Sequence, residues 1–251
     1  MINVLINGAN GRMGRKVYEA CEITSDVKAV CGVDLIENKN NPVFPIYNSF
    51  SEVNEGVDVI IDFSAPASLP AILEYAISND KCAVLCATGY TAEDIEKINE
   101  ASKKIAIFRS ANMSLGVNVL IDLVKKAATA LDGFDIEIIE KHHNQKVDAP
   151  SGTALMLADA IKEEQPEKFY VNGREGQVGK RDKNEIGIHA IRGGNIVGEH
   201  DVIYAGNFET ITLSHQATDR SVFANGAVKA AKYIATKKVG LFNMSDMING
   251  K

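Results

Sequence analysis

Several features that assign proteins to other classes are missing from this sequence. A helix that spans a bilayer needs about 20 consecutive apolar residues, and no apolar run approaches that length, so we expect no membrane span. The chain starts directly with a strand-like segment and shows none of the basic, apolar and cleavage regions of an export signal, which predicts a cytoplasmic protein.

Positive charge and paired cysteines are also scarce. The formal net charge of -6 argues against general nucleic-acid binding, because displacing phosphate counterions requires a cationic face. The chain has four cysteines, Cys21, Cys31, Cys82 and Cys86, which lie in apolar segments without a close CxxC pair. We expect buried thiols rather than disulfides or a metal site.

The first half of the chain begins with a glycine loop. The N-terminal segment is typical of a buried strand, and Gly8, Gly11 and Gly14 follow it at once, before a helical pattern. In a dinucleotide site of this order, the first glycine permits a tight turn, the second lets the backbone approach a pyrophosphate, and the third lets helix and strand pack closely. The spacing is GxxGxxG rather than GxGxxG. A second strand-like segment ends at Asp34, about 20 residues beyond the loop, where a carboxylate binds ribose hydroxyls. The sequence therefore predicts a dinucleotide site.

Asp34 also affects which dinucleotide is preferred, because a carboxylate at this point repels the 2′-phosphate of NADPH. Leu35, Ile36 and Glu37 offer no cation, although Lys39 and the basic side chains near the glycine loop could reach the phosphate. We expect NADH to be preferred and NADPH to be tolerated.

Strand-like and helical patterns alternate through the rest of the first half. We predict strands at 57–63, 82–86 and 104–108, and helices at 70–78 and 91–102. Such alternation is typical of a parallel sheet with helices on both faces, whose ligands bind beyond the carboxyl ends of the strands. The loops at those ends, 63–66, 87–90 and 110–113, are candidate cofactor contacts; the alternative for each loop taken alone is a simple turn.

The second half has a different pattern. A long amphipathic helix over 115–131 leads out of the first domain, and a glycine-rich, charged segment at 172–183 is a flexible loop or a lid. Strands without intervening helices follow as a meander, which together with a strand at 135–140 predicts a mixed or antiparallel sheet of about four strands. An open sheet this small favours association between subunits. The meander strands are 186–191, 196–204 and 209–217, a last helix covers 222–236, and 240–244 is an apolar tail.

A polar run at 140–153 joins a predicted strand to a predicted helix that begins at Ser151. The run contains His142, His143 and Lys146, which can exchange protons, and it ends where the N–H groups of a helix start favour a carboxylate. We interpret it as a site at which a small acidic substrate receives a proton; the alternative is a solvated polar loop. Extended backbone would place His142 and Lys146 on one side and His143 on the other.

Four of these segments together resemble the 4-hydroxy-tetrahydrodipicolinate reductase family, nearly end to end. They are the glycine loop, HHxxKVDAPSGT at 142–153, VGEH at 197–200 and FANGAV at 223–228. The resemblance implies NAD(P)H-dependent reduction of 4-hydroxy-tetrahydrodipicolinate to tetrahydrodipicolinate in lysine and diaminopimelate biosynthesis. It implies a Rossmann-type doubly wound parallel sheet in residues 1–113, completed by 221–251. Residues 114–220 would form a second α+β domain with a mixed, open sheet that binds the substrate and builds a homotetramer.

The resemblance also implies roles for individual residues. His142 would be the proton donor or acceptor and Lys146 the proton donor, beside a small dicarboxylate substrate. The implied substrate contacts are His143, Gly152 and Thr153, to which the predicted helix start adds Ser151. Because His143 would also contact the substrate, we expect irregular rather than extended backbone in this loop. The implied cofactor contacts are Gly8, Ala9, Asn10, Gly11, Arg12, Met13, Asp34, Cys86, Ala87, Thr88, Ser110, Ala111, Asn112 and Met113. No metal is implied.

Two other functions are compatible with part of the sequence. A short-chain dehydrogenase would use a Tyr-x-x-x-Lys pair, which occurs as Tyr233 and Lys237, but near the end of the chain on an amphipathic helix. A regulator that senses dinucleotides would explain the glycine loop but leave the polar run without a role. A metal bound by His142 and His143 is disfavoured, since no third ligand has a recognisable spacing.

Overall fold

A computed structural model describes residues 1–35 and 44–250. The chain divides into two compact units, which we call unit 1 (Met1–Leu115 with Arg220–Lys251) and unit 2 (Gly116–Asp219). Ile36, Glu37 and Lys39, which entered the cofactor prediction, lie outside the described residues. In the part of the chain that the structure describes, no helix is long and apolar enough to cross a bilayer.

Strands and helices alternate through most of the chain. The strands are β1 (Ile2–Asn7), β2 (Val27–Val33), β3 (Ile46–Tyr47), β4 (Val59–Asp62), β5 (Cys82–Leu85), β6 (Ala106–Arg109), β7 (Asp135–His142), β8 (Phe169–Asn172), β9 (Glu185–Arg192), β10 (Gly198–Ala205), β11 (Thr210–Ala217) and β12 (Gly240–Phe242). The helices are α1 (Arg12–Glu22), α2 (Leu69–Ser78), α3 (Ala92–Ala101), α4 (Leu115–Ala130), α5 (Gly152–Glu164), α6 (Ser221–Ile234) and α7 (Met244–Ile248).

Unit 1 is built on a parallel sheet in the order β12-β6-β5-β4-β1-β2-β3. Helices α1 and α6 pack on one face, and α2 and α3 pack on the other. The predicted doubly wound parallel sheet is therefore confirmed. Because both faces are covered, the central strands are continuously apolar, which made them recognisable in the sequence.

Two edge strands of unit 1 differ from the prediction. The segment interpreted as an apolar tail contains β12, which pairs with β6 through Leu241 and Ile107, so that interpretation was wrong. The two-residue strand β3 was missed, because Pro45 precedes it and it is too short to show a period. Both are pairings between distant segments that local pattern does not encode.

Unit 2 contains a mixed sheet in the order β11-β10-β7-β9-β8. The mixed sheet is confirmed, but the predicted meander is wrong about which strands are neighbours. Strand β7 lies between β9 and β10, so these two strands do not pair. It is antiparallel to β10 and parallel to β9. The sheet has five strands rather than about four, since the short, partly exposed β8 carried no clear alternation.

The inward face of the unit 2 sheet packs against α4 and α5. Along β7 the burial alternates, so Ile136, Ile138, Glu140 and His142 point inward and Glu137 points outward. The first two belong to the apolar core, and the next two continue the same row beyond it. Strand alternation therefore puts a carboxylate and an imidazole side by side.

Two arginines anchor the segment that was predicted to be a flexible loop or a lid. Arg174 binds both carboxylate oxygens of Glu137, at 2.7 and 3.0 Å, and Arg181 Nε donates to the same carboxylate at 3.1 Å. His189 Nε2 lies 2.8 Å from it as well. The segment is thus held against the outward face of the sheet at both of its ends.

Candidate active site

The backbone of the glycine loop in unit 1 does not accommodate a side chain at Gly8 or Gly14. Gly8 has a φ of +79°, and a Cβ on Gly14 would lie 2.2 Å from the carbonyl oxygen of Gly8. Gly11 is the N-cap of α1, and within the described part of the chain no side chain caps this helix. The first N–H groups of α1 have no intrahelical partner and, with the helix dipole, favour an anion. The loop therefore fits the pyrophosphate of a dinucleotide.

A cleft of about 650 Å³ lies along the loop at the carboxyl ends of β1, β2 and β4. This is the point at which the strand order reverses, the usual ligand position in doubly wound sheets. Gly8, Asn10, Gly11 and Asp34 line the cleft, and Asp34 accepts a hydrogen bond of 2.9 Å from the backbone N–H of Asn10. The predicted ribose-binding carboxylate is thus placed beside the loop.

The remaining predicted cofactor contacts lie elsewhere in unit 1. Ala9 and Met13 pack in or against the core, whereas Arg12 is exposed at the start of α1. The two further segments follow β5 and β6 at the same edge of the sheet but do not line this cleft. They are Cys86, Ala87 and Thr88, and Ser110, Ala111, Asn112 and Met113.

Those two segments are not equally open. Cys86 and Met113 are buried, and burial raises the pKa of the Cys86 thiol well above its usual value. The carbonyl oxygen of Met113 lies against Gly226, where a Cβ would be 1.7 Å from it. Thr88 and Ala111 are exposed. The exposed members of these segments are the ones that a bound molecule could contact directly.

The sequence did not point to Asp62 as a member of the cleft region. It is fully buried at the end of β4, where its Oδ1 accepts hydrogen bonds from Asn7 Nδ2 at 2.8 Å and Ser64 Oγ at 2.6 Å. Burial raises the pKa of this carboxyl despite these hydrogen bonds. Because Asn7 and Ser64 line the cleft, Asp62 fixes part of its floor. The one available signal was its position at a strand end.

The predicted proton-exchanging residues lie in unit 2, where His142 ends β7. Its Nδ1 is 2.6 Å from Oε2 of Glu140, and its ring meets the ring of His200 edge to face with centroids 5.2 Å apart. Burial lowers the pKa of His142, although the carboxylate of Glu140 opposes this effect. The imidazole is therefore neutral near neutral pH, with Glu140 as the acceptor for its Nδ1–H.

Glu140 is a second site residue that was not recognisable as such from its sequence. Its side chain is fully buried, and Arg192 binds its two oxygens at 2.8 and 2.7 Å. Burial by itself raises the pKa of Glu140, but the hydrogen bonds from Arg192, His142 and Ser151 outweigh it and lower the pKa. The carboxylate stays ionised. The signal that could have identified it was its spacing of two residues from His142 in a strand.

The predicted start of α5 is confirmed at its N-cap, Ser151. The hydroxyl of Ser151 accepts a hydrogen bond from the backbone N–H of Ala154 at 3.1 Å, and it also bonds to His200 Nε2 at 3.0 Å. Gly152 and Thr153 form the first turn, with Gly152 exposed. A carboxylate could therefore approach the helix start at Gly152.

His143 and Lys146 occupy a turn rather than extended backbone. The strand ends at His142, and the N–H of Lys146 donates to the carbonyl of His143 at 3.1 Å. The irregular backbone expected for this loop is therefore confirmed, and the side-by-side placement that an extended backbone would give does not occur. Lys146 is an ammonium group paired with Asp148 at 2.8 Å, and its side chain is 20% exposed. His143 Nδ1 is buried without a hydrogen-bond partner.

The Tyr-x-x-x-Lys pair is accounted for by packing. The ammonium of Lys237 lies over the ring of Tyr233, 4.7 Å from its centroid, and the ring itself packs edge to face against Phe108 and Phe242. These contacts lie in the core formed by α6 and β12. Residues 1–35 and 44–250 contain no group of three or more side chains placed to hold a metal ion.

A doubly wound sheet with a glycine-lined cleft at its switch point is typical of dinucleotide-binding proteins, and unit 2 by itself carries imidazole, ammonium and carboxylate groups. Family models agree over almost the whole chain: the N-terminal part of dihydrodipicolinate reductase matches residues 2–113, and the C-terminal part matches residues 116–248. The chain belongs to the dihydrodipicolinate reductase family, and the resemblance found in the sequence is confirmed.

Individual relatives match along their full length. The 4-hydroxy-tetrahydrodipicolinate reductases of Caldanaerobacter subterraneus and Clostridium tetani are 52% and 49% identical to this chain, and each match covers 99% of the chain and 98% of the relative. The dipicolinate-bound dihydrodipicolinate reductase of Paenisporosarcina sp. TG-14 has a TM-score of 0.82 and 25% identity, with 97% of both chains covered. The Paenisporosarcina enzyme therefore shares the fold of this chain.

Proposed function

We propose that this protein reduces 4-hydroxy-tetrahydrodipicolinate to tetrahydrodipicolinate with NADH or NADPH, as a cytoplasmic step of lysine and diaminopimelate biosynthesis. The observation that carries the proposal is the grouping of His142, Lys146 and the start of α5 within a chain of this family. A regulator that only senses dinucleotides would have no use for that group.

The substrate class follows from the charges of unit 2. A dicarboxylate needs two anchoring points, and Lys146 supplies an ammonium group while Ser151, Gly152 and Thr153 form a helix start. The Paenisporosarcina enzyme is described with bound dipicolinate, which is a ring with two carboxylates. His143 is a further candidate contact, since its buried Nδ1 has no hydrogen-bond partner among residues 1–35 and 44–250.

The cofactor would be held by unit 1. The start of α1 at Gly11 and Arg12 faces the pyrophosphate in this proposal, and Asp34 accepts hydrogen bonds from the ribose hydroxyls. The nicotinamide, when bound, supplies a hydride. We infer that NADH is preferred, because the carboxylate of Asp34 repels a 2′-phosphate, and that NADPH is tolerated.

The proton would come from His142 and Lys146. Loss of the 4-hydroxyl group of the substrate as water gives a conjugated imine. Hydride addition to this imine leaves electron density that a nearby acid must neutralise, and an imidazolium or an ammonium group can supply the proton. His142 donates from its imidazolium form through Nε2, since Nδ1 is engaged by Glu140. Lys146 supplies positive charge and a second proton source in the same loop.

We also propose a homotetramer assembled through unit 2. The helices cover one face of its sheet, whereas apolar side chains on the other face, such as Ile191 on β9 and Phe169 on β8, are 46% and 44% exposed. An open sheet with one uncovered face is commonly buried by another subunit. Sedimentation analysis would measure the oligomer number.

The function is tested by an assay in which the unstable substrate is made in situ and the absorbance of NADH and of NADPH is followed separately. We expect His142→Gln and Lys146→Met each to lower kcat by about 100-fold or more while cofactor binding persists. His189→Gln and Lys126→Met, outside the proposed site, are matched controls that should retain kcat.

Near-normal turnover in both site variants would refute the assigned roles. Cofactor binding without consumption, at any substrate concentration, would instead identify a dinucleotide-sensing regulator.

A further inference from the structure

Glu140 makes four hydrogen bonds although it is fully buried. Oε2 accepts from His142 Nδ1 at 2.6 Å, and Oε1 accepts from the backbone N–H of Ser151 at 3.0 Å. Arg192 donates to both oxygens. One carboxylate therefore connects the end of β7, the start of α5 and the end of β9.

We propose that Glu140 is a positioning residue for proton transfer, which keeps a proton on Nδ1 of His142 and leaves Nε2 as the atom that exchanges a proton with the substrate. This inference rests on the proposed function, because it assigns Glu140 a role through His142. A carboxylate bonded to one imidazole nitrogen fixes the tautomer and the ring orientation and stabilises the imidazolium.

The surroundings of Nε2 agree with this assignment. A Cβ on Gly198 would lie 3.1 Å from Nε2 of His142, so any larger residue at that position would cover the nitrogen. Glycine at the start of β10 leaves it accessible. The His142 side chain is 11% exposed, which is enough for contact with a small molecule at one atom.

Glu140 and Arg192 act on His142 in opposite directions. Burial lowers the pKa of His142, the adjacent carboxylate of Glu140 raises it, and the positive charges of Lys146 and Arg192 lower it. The titratable and charged groups around the ring are Glu140, Lys146 with its partner Asp148, Arg192, and His200 with its cross-strand neighbour His215. Removing the charge of Glu140 should therefore lower the pKa of His142, and removing the charge of Arg192 should raise it.

The first variant is Glu140→Gln, which keeps the size of the side chain and removes its charge. As a proton donor, His142 loses activity when the pH rises through its pKa, so a lower pKa moves the alkaline limb of the kcat profile toward acid. A charge-assisted hydrogen bond predicts a shift of about one to two pH units, with kcat at neutral pH lower by roughly 10- to 100-fold and restored on acidification.

The second variant, Arg192→Gln, predicts the opposite result. It leaves the Glu140 carboxylate without its compensating charge, so the pKa of His142 rises and the alkaline limb moves to higher pH. General damage to the site would not produce opposite shifts. If Glu140→Gln fails to fold, Arg192→Gln alone decides: a shift to higher pH supports the proposal, and no shift or a shift to lower pH overturns it.

Glu137→Gln is the matched control, because Glu137 lies on the same strand and also bonds to arginine and histidine, but on the outward face. Its profile should coincide with that of the unaltered protein. An activity-independent readout is the pH dependence of His142 modification by diethyl pyrocarbonate, followed by mass spectrometry in the absence of cofactor. It should show the same two opposite shifts.

The proposal is overturned if Glu140→Gln and Arg192→Gln both keep the profile of Glu137→Gln, or both shift it in one direction. Failure of the underlying function gives a different result: His142→Gln would then retain turnover. If His142→Gln is inactive but the alkaline limbs of the Glu140→Gln and Arg192→Gln profiles do not shift, the proposed function stands and only the role assigned to Glu140 is wrong.

Discussion

Gly14, in the first turn of α1, packs directly over the carbonyl oxygen of Gly8: a Cβ at Gly14 would be 2.2 Å from that oxygen and 2.7 Å from Cα of Ala9. The contact sets how closely the helix start approaches the loop. It is the close packing that a third glycine permits in a dinucleotide site.

We expect Gly14→Ala to force α1 away from the loop. The free energy of unfolding should fall by about 2 kcal/mol, as for overpacked cores, and NADH affinity should fall at least tenfold. Gly56→Ala is the control, because a Cβ there has open space except for Asn3 Nδ2 at 4.0 Å, and its effect should stay within about 0.5 kcal/mol. Thermal unfolding and fluorescence titration measure both quantities; equal behaviour of the two variants would contradict the packing argument.

Asp34 should determine discrimination against the 2′-phosphate. Asp34→Asn removes the charge but keeps an oxygen that can accept the N–H of Asn10, so the loop should be preserved. We expect the ratio of kcat/KM for NADPH to that for NADH to rise about tenfold, which corresponds to roughly 1.4 kcal/mol of lost repulsion.

Asp132→Asn, an exposed site in unit 2, serves as the control for Asp34→Asn and should leave the cofactor ratio unchanged. If the unaltered protein uses NADPH with the much larger kcat/KM, the proposed preference for NADH is wrong.

Ser151 has two roles at the start of α5, since its hydroxyl caps the helix and bonds to His200. Ser151→Ala should lower the free energy of unfolding by about 2 kcal/mol, through loss of the cap and of the partner of a buried imidazole nitrogen. If the start of α5 binds a substrate carboxylate as proposed, the KM for the substrate should rise severalfold with less change in kcat, because this helix start is no longer fixed.

Thr91→Ala tests whether a lost cap alone has this effect on KM. Thr91 caps α3 in unit 1 through a hydrogen bond from the N–H of Asp94 at 3.2 Å. This variant should lose about 1 kcal/mol of stability and keep its KM. A similar rise in KM for both variants would argue against a substrate role for the start of α5.

Glu137 should contribute to stability at low pH. Burial by itself raises the pKa of its carboxyl, but hydrogen bonds from Arg174, His189 and Arg181 outweigh this and lower it from 4.5 to about 2. Because the folded-state pKa lies below the unfolded one, the contribution is complete above pH 4.5 and is lost as the pH falls toward about 2.

The measurement for Glu137 is denaturant unfolding across that acid range. The unaltered protein should lose stability more steeply than Glu137→Gln, while Glu167→Gln, at an exposed site, should follow the unaltered protein. If the free energy of unfolding falls equally steeply with decreasing pH in Glu137→Gln and in the unaltered protein, the arginine contacts do not hold the carboxylate ionised.

Features determined by nearby residues were predictable. Helices α3 and α5 start next to Thr91 and Ser151, where the sequence placed their beginnings, because each helix cap depends on residues within one turn of the helix. The parallel strands of unit 1 were recognisable from their apolar runs. The position of the glycine loop at the end of the first strand was also predictable, because the strand, the loop and the helix are contiguous in the sequence.

Pairings between distant segments were not predictable from one sequence. Glu140 and Arg192 are 52 residues apart, and Ser151 and His200 are 49 residues apart, so no local period links them. The position of β7 between β9 and β10, and the addition of β12 beside β6, are likewise choices among strand edges that look alike in sequence. The sequence contained Glu140 and His142 in the right spacing but did not reveal that both are buried beside an arginine.

By itself the sequence determined the alternating pattern of unit 1, the glycine loop, the polar run with His142 and Lys146, and the family to which the chain belongs. Only the tertiary structure decided which charges meet: it brought Arg192 and His200 to Glu140 and Ser151. The physical reason is that helices, caps and strands are fixed by interactions between near neighbours, whereas the protonation of His142 depends on burial and on charges that arrive from other strands.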